Sequence, residues 1–314
     1  MLIGRLLDRF KKFGDLAKLQ QAITILEELI TRSASVGDNR YHEGLSSLGV
    51  ALWYRFERLG ELSDLEEAIS RHLDAIDLIP DGHPHKSYHL NNLGLCFHAR
   101  FQRLGELGDL EQAILRCRDV VDLTPDGHPS KAACLGNLGN SLRVRFERVR
   151  ELSDLEEAIS RFRDAIEIIP DGHPDKPNHL NNLGLCFQAR FKSLGELSDL
   201  EKAIPRLRNA VDLIPDGHPN RSTFLANLGN SLRTRFERVG ELNDLEEAIS
   251  RHRNAADLIP DGHPDNPNHL NDLGSASKLV SSTSGGWATS RKQLRGTGML
   301  LTSFLMVTPR GPTI

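Results

Sequence analysis

Pro80-Asp81-Gly82-His83-Pro84 returns at Pro125, Pro170, Pro215 and Pro260, five copies, each 45 residues after the last (125 − 80 = 45). A fixed period of about 20 to 50 residues marks a stacked-repeat protein, in which each unit buries its apolar face against its neighbours. A length of 314 residues would otherwise suggest about two globular domains. The period predicts one elongated array instead, and an array favours binding over catalysis.

Between two copies of the pentapeptide lie two amphipathic stripes. Leu90, Leu93, Gly94, Phe97 and Phe101 recur at helical spacing and predict a first helix, A, with Gly105 as its left-handed stop. Leu110, Ala113, Ile114, Cys117, Val120 and Val121 predict a second helix, B, closed by Leu123-Thr124-Pro125. The pairs Ser63/Glu66, Ser153/Glu156, Ser198/Glu201 and Asn243/Glu246 have capping-box spacing and place the start of helix B; Gly108 stands there in the remaining repeat. Glycine at 49, 94, 139, 184 and 229 sits inside helix A, where it costs about 1 kcal/mol relative to alanine. Close approach of the alanines Ala68, Ala113, Ala158, Ala203 and Ala248 of helix B is the expected compensation. The fold class is therefore all-α, an α-α superhelix or solenoid of helix hairpins.

The formal net charge of −4 gives no general attraction to nucleic acid or anionic membrane. No run reaches the roughly 18 apolar residues of a membrane span. Cys96, Cys117, Cys134 and Cys186 make no CxxC pair and read as reduced core residues, which predicts a cytoplasmic protein without ruling out a nuclear one. No catalytic constellation, cofactor or metal site is predicted. The five pentapeptide histidines, His83, His128, His173, His218 and His263, belong to repeats roughly 10 Å apart and are read as turn residues.

The residues Leu135, Leu138, Gly139 and Leu142 of helix A, with Ala158, Phe162, Ala165 and Pro170 of helix B and its end, resemble the tetratricopeptide repeat. About seven residues more than the basic unit separate the helix A glycine from the helix B alanine, so helix A is expected to end near Phe146 and the inter-helix loop to grow. The segment Gly172 to Leu183 is similar to the long repeats of kinesin light chains. Arg55 to Ser70 resembles fungal arrays of mushroom-forming species that often precede a caspase-like CHAT domain. The expected organisation is a truncated first repeat at 1–40, five 45-residue repeats at 41–265, and the start of a sixth helix A at 266–274. Residues 275–314, with five basic residues and no acid, are read either as a shifted reading frame or as a disordered basic tail. The last helix B, lacking a full helix beyond it, is expected to fray or to stick to another surface. Duplication ran in pairs: His89–Phe101 and His179–Phe191 differ at one position, 90 residues apart.

The resemblance implies a concave groove lined by helix A. It places Asn92, Asn137, Asn182 and Asn227 there, with Asn91 and Asn181, Asn140 and Asn230, and then Trp53, Arg143 and Arg233. An asparagine amide donates and accepts, so it can pair with any peptide backbone, and arginine can take a carboxylate with two donors. The predicted partner is an extended peptide or protein with acidic residues about six positions apart, each repeat clasping about three residues, with no nucleic acid, membrane or small-molecule cofactor. Two alternatives stand beside this: the asparagines hold neighbouring helices together, and Trp53 packs on Leu45 or Leu52. Arg55, Arg100, Arg145, Arg190 and Arg235 are read as pairing with the Glu-rich start of helix B. The function expected is a non-enzymatic scaffold. The alternative is the sensing or autoinhibitory arm of a larger effector such as a CHAT-type protease, whose His–Cys pair does not occur in this chain beyond His269 and Cys186.

Overall fold

The structure, a computed structural model, describes residues 2–34, 41–258 and 274–275. It is all-α, with twelve helices among the described residues and no strand. The chain divides into two compact units, Met1–Ile214 and the remainder from Pro215. The first unit holds α1 (Leu2–Phe13), α2 (Leu16–Ala34), α3 (Tyr41–Leu59), α4 (Leu62–Asp77), α5 (Lys86–Leu104), α6 (Leu107–Leu123), α7 (Lys131–Val149), α8 (Leu152–Ile168), α9 (Lys176–Leu194) and α10 (Leu197–Leu213). In the second unit, α11 (Arg221–Val239) and α12 (Leu242–Asp257) are described. Each odd-numbered helix packs on the even-numbered one after it as a hairpin, and within the first unit each hairpin packs on the next.

Both stripes read from the sequence are the core. Leu90, Leu93, Phe97 and Phe101 of α5 and Leu110, Ala113, Ile114, Cys117, Val120 and Val121 of α6 are all buried. Gly105 ends α5 with φ 75°, and its N–H reaches the Phe101 carbonyl at 2.7 Å. Arg150 takes the same left-handed geometry at φ 65° without being glycine, an arrangement that costs a residue with a Cβ about 1 kcal/mol or more. All four cysteines are free and buried, and burial pushes the thiols of Cys96, Cys117 and Cys186 up to about 12.

Four local expectations are corrected. The extra residues of the long repeat become helix rather than loop: α7 runs on to Val149, and just Arg150 and Glu151 separate it from α8. The Ser/Glu pairs are not capping boxes. Helix B begins a residue earlier, as at Leu62 after Glu61, and no side chain caps it.

The reason lies in the next residue, an aspartate in the first turn, where its charge suits the helix dipole. Asp64, Asp109, Asp154, Asp199 and Asp244 are buried, and each accepts two hydrogen bonds from an arginine of the preceding helix A. Arg55 Nε and Nη2 lie 2.8 and 2.6 Å from the two oxygens of Asp64. The arginines thus clasp the start of helix B as expected, but on an aspartate rather than a glutamate.

Lastly, the alanine is not the sole neighbour of the helix A glycine. Its carbonyl oxygen comes within 3.6 Å of a methyl at Gly94 and 3.4 Å of one at Gly184, but at Gly49, Gly139 and Gly184 the nearest group is the bulky residue one turn later. A methyl at Gly49 would meet the His72 ring at 2.7 Å, one at Gly139 the Phe162 ring at 3.0 Å, and one at Gly184 Leu207 at 2.6 Å.

Candidate functional site

The pentapeptide explains itself in the structure. Its glycine takes positive φ, 83° at Gly82 and 80° at Gly127, which a residue with a side chain rarely adopts. Its histidine accepts, through Nδ1, the backbone N–H two residues on: His85 to His83 at 3.2 Å, and likewise Ser130 to His128, Asp175 to His173 and Asn220 to His218. That bond orders the entry to the next helix A. The copy at Pro260 lies outside the described residues, as do the predicted sixth helix A, apart from Gly274, and the tail beyond Ser275.

Helices α3, α5 and α7, each the first of its hairpin, flank a cleft of about 710 Å³. Ser47, Tyr88, Asn91, His128, Cys134 and Asn137 are among its lining residues. Of the residues predicted to line a groove, Asn91 and Asn137 lie in the lining of this cleft, and they bond across the helices, Asn137 Nδ2 donating to Asn91 Oδ1 at 3.0 Å. The bond is one rung of the ladder that the alternative reading anticipates, set in the wall of a cleft.

Further along the same helices, Arg143 Nη1 donates to Glu147 and Nη2 to Asn140 Oδ1 at 3.0 Å. Arg143 also faces His98, whose pKa is lowered by burial first and by that guanidinium second. Trp53 is half-buried, its ring 5.1 Å from Tyr54. Trp53 Nε1, Asn92 Nδ2 and Arg143 Nε are buried and find no acceptor among the described residues, so three successive A helices, α3, α5 and α7, each carry such a donor. On α9, Asn181 is buried and Asn182 half-buried, with Asn181 Nδ2 3.5 Å from Asn182 Oδ1. In the second unit, α11 carries Asn227, Asn230 and Arg233, all half-buried, and Arg233 Nη1 donates to Glu237 at 2.7 Å.

One group escaped the sequence reading. His42 at the start of α3 lies with its ring 5.1 Å from that of His83, 5.9 Å from His85 and 5.3 Å from His89. Burial, followed by the neighbouring His83, lowers the pKa of His42. Histidines related by the repeat stay apart, but His42 and His85 lie outside the repeat pattern and both come close to His83, the His83 and His85 rings 5.4 Å apart.

No helix among the described residues is long and apolar enough to cross a membrane. Residues 222–265 match the sequence model of the tetratricopeptide repeat. No curated protein sequence matches the chain significantly. Among solved structures, BtubC (BKLC) of P. vanneervenii is similar at 16% identity over 78% of this chain and 94% of that one, with a TM-score of 0.55. The nearly identical TPR-like repeats from Podosopora anserina match at 16% identity over 68% of this chain and 95% of theirs, TM-score 0.49. TTC0263, a thermophilic TPR protein of Thermus thermophilus, matches at 17% identity over 74% and 98%, TM-score 0.48.

Proposed function

We propose that this chain, a solenoid of tetratricopeptide-type helix hairpins, is a non-enzymatic scaffold that holds an extended peptide or partner protein against its A helices. One observation carries the reading. Trp53 Nε1, Asn92 Nδ2 and Arg143 Nε are buried donors without acceptors among the described residues, on α3, α5 and α7, the helices whose other residues line the 710 Å³ cleft. A buried polar group left unpaired costs about 1–3 kcal/mol, and a peptide backbone, rich in carbonyl oxygens, is the ligand that satisfies such donors whatever its side chains. Half-buried Asn92, Asn137 and Asn182 recur once per repeat on α5, α7 and α9, in step with an extended ligand. Arg143 and Arg233 each already hold a glutamate of their own helix. An acidic ligand side chain would exchange with Glu147 or Glu237 there, which makes the acid preference a matter of specificity more than of affinity.

The test uses peptides selected on the intact chain from a displayed library of extended sequences. Replacing Asn92, Asn137, Asn182 and Asn227 together by Ala abolishes binding of the selected peptides while helical content stays the same. Unchanged affinity in that variant sinks the reading.

A further inference from the structure

The histidines at the start of α3 and α5 form a cluster that neither the turn nor the peptide cleft requires. His42, His83 and His85 each bring one ring nitrogen to within 4.8 Å of the other two. Of these, only His83 has a task shared by all four described copies of the turn, which its Nδ1 holds. One repeat on, the places of His42 and His85 are taken by Ser87 and Ser130, and in later repeats by Ala132, Pro177 and Ser222 and by Asp175 and Asn220. The fold therefore asks for small or polar residues there, and at this one junction it has imidazoles.

The surroundings orient the rings as metal sites do. His42 Nδ1 lies 3.1 Å from Nε2 of the buried His89. A proton on His42 Nδ1 would be donated to His89 and leave the other nitrogen of His42 with its lone pair. His85 Nδ1 lies 3.5 Å from Glu43 Oε1, a separation that a small movement would close into the carboxylate–histidine pairing that fixes a ligand's tautomer. His83 takes the cost: engaging an ion through Nε2 would move its proton to Nδ1 and give up the turn hydrogen bond from His85 N–H.

We infer that His42, His83 and His85 bind a divalent transition-metal ion of the zinc class, with Glu43 and His89 holding two of the rings from behind. Imidazole nitrogen suits zinc, nickel and copper ions over calcium or magnesium. Tetrahedral binding at 2.0–2.1 Å would bring the nitrogens to about 3.4 Å of one another. The half-exposed His85 is free to make most of that movement. Three protein ligands leave a fourth position, and because Glu43 and His85 also line the cleft, that position lies beside it.

The full chain, free of any affinity tag and stripped with EDTA, is titrated with zinc chloride by calorimetry. One ion per chain with a Kd tighter than about 10 μM is expected; weaker binding overturns the inference. His85→Ser, which installs the residue found at 130, weakens binding at least tenfold with unchanged circular dichroism. His218→Ala removes the same turn histidine from a repeat in which the places of His85 and His42 hold Asn220 and Pro177, and it leaves the affinity as it was. Zinc bound equally well by His85→Ser, or lost equally in His218→Ala, would assign the ion to other histidines and overturn the site.

Discussion

Gly94→Ala and Gly184→Ala make the same change at equivalent places, and the packing around them gives opposite outcomes. Inside a helix, alanine is favoured over glycine by about 1 kcal/mol. A methyl at Gly94 would lie 3.4 Å from Arg116 Cβ and 3.6 Å from both the Ala113 carbonyl oxygen and Cys117 Sγ. Those are ordinary contacts, so most of the helix gain is kept and Gly94→Ala stabilises by about 0.5–1 kcal/mol. At Gly184 the methyl would stand 2.6 Å from Leu207 Cγ and 2.8 Å from Cδ2, with the Ala203 carbonyl oxygen at 3.4 Å. Leu207 is fully buried and has nowhere to swing, and overpacking of this kind costs about 1–3 kcal/mol. Gly184→Ala therefore destabilises, and the two variants should differ by about 2 kcal/mol. Urea unfolding followed by far-UV circular dichroism measures the difference. Amide exchange at Ala113 and Ala203 accompanies it, because a repeat array need not unfold in one step. Leu207→Cys, copying Cys117, should rescue Gly184→Ala in part. Equal losses in the two glycine variants, or no rescue, refute the packing account.

Arg145→Ala strands the carboxylate of Asp154, which is 3% exposed, and should cost about 3 kcal/mol in urea unfolding. Arg71→Ala breaks ion pairs to the more exposed Glu67 and Asp74 and should cost under about 0.5 kcal/mol; similar losses in the two would discredit the distinction. Burial lowers the pKa of His72 from 6.5 to about 4. The unfolded chain then binds the proton more readily than the folded one, so stability holds above pH 6.5 and falls as pH drops from there toward 4. His72→Leu, which copies Leu207, should flatten that fall in a pH series of thermal unfolding; an unaltered slope would remove His72 from the account.

Periodicity made the core legible. Every position of the two stripes, from Leu90 to Val121, is buried, because burial repeats with the turn of the helix and so does the sequence. What escaped were choices between near-equivalent neighbours. Ser63 and Asp64 are adjacent, and either could serve the first turn of α4; the choice went to the aspartate because an arginine nine residues earlier lies within reach of it. Likewise, the glycine of helix A could face the alanine of helix B or the residue a turn later, and spacing alone does not separate them. The candidate site was legible in residue type, since Asn91 and Asn137 line a cleft, but not in pairing: the hydrogen bond from Asn137 to Asn91 and the hold of Glu147 on Arg143 depend on the side chains' final arrangement. His42 and His85 were invisible for a different reason. Searching for what repeats discards what does not.

The arginine–aspartate clasp spans nine residues in every hairpin where it is seen. Contacts of that reach close on the order of 10–100 ns, whereas ribosomes deliver about 5–20 residues per second. Each elbow thus samples its own contact many times before the next repeat emerges. Near-copies 90 residues apart would otherwise compete for one another's partners, the usual route by which tandem repeats misassemble. A helix B already tied to its own helix A arrives at that contest spoken for.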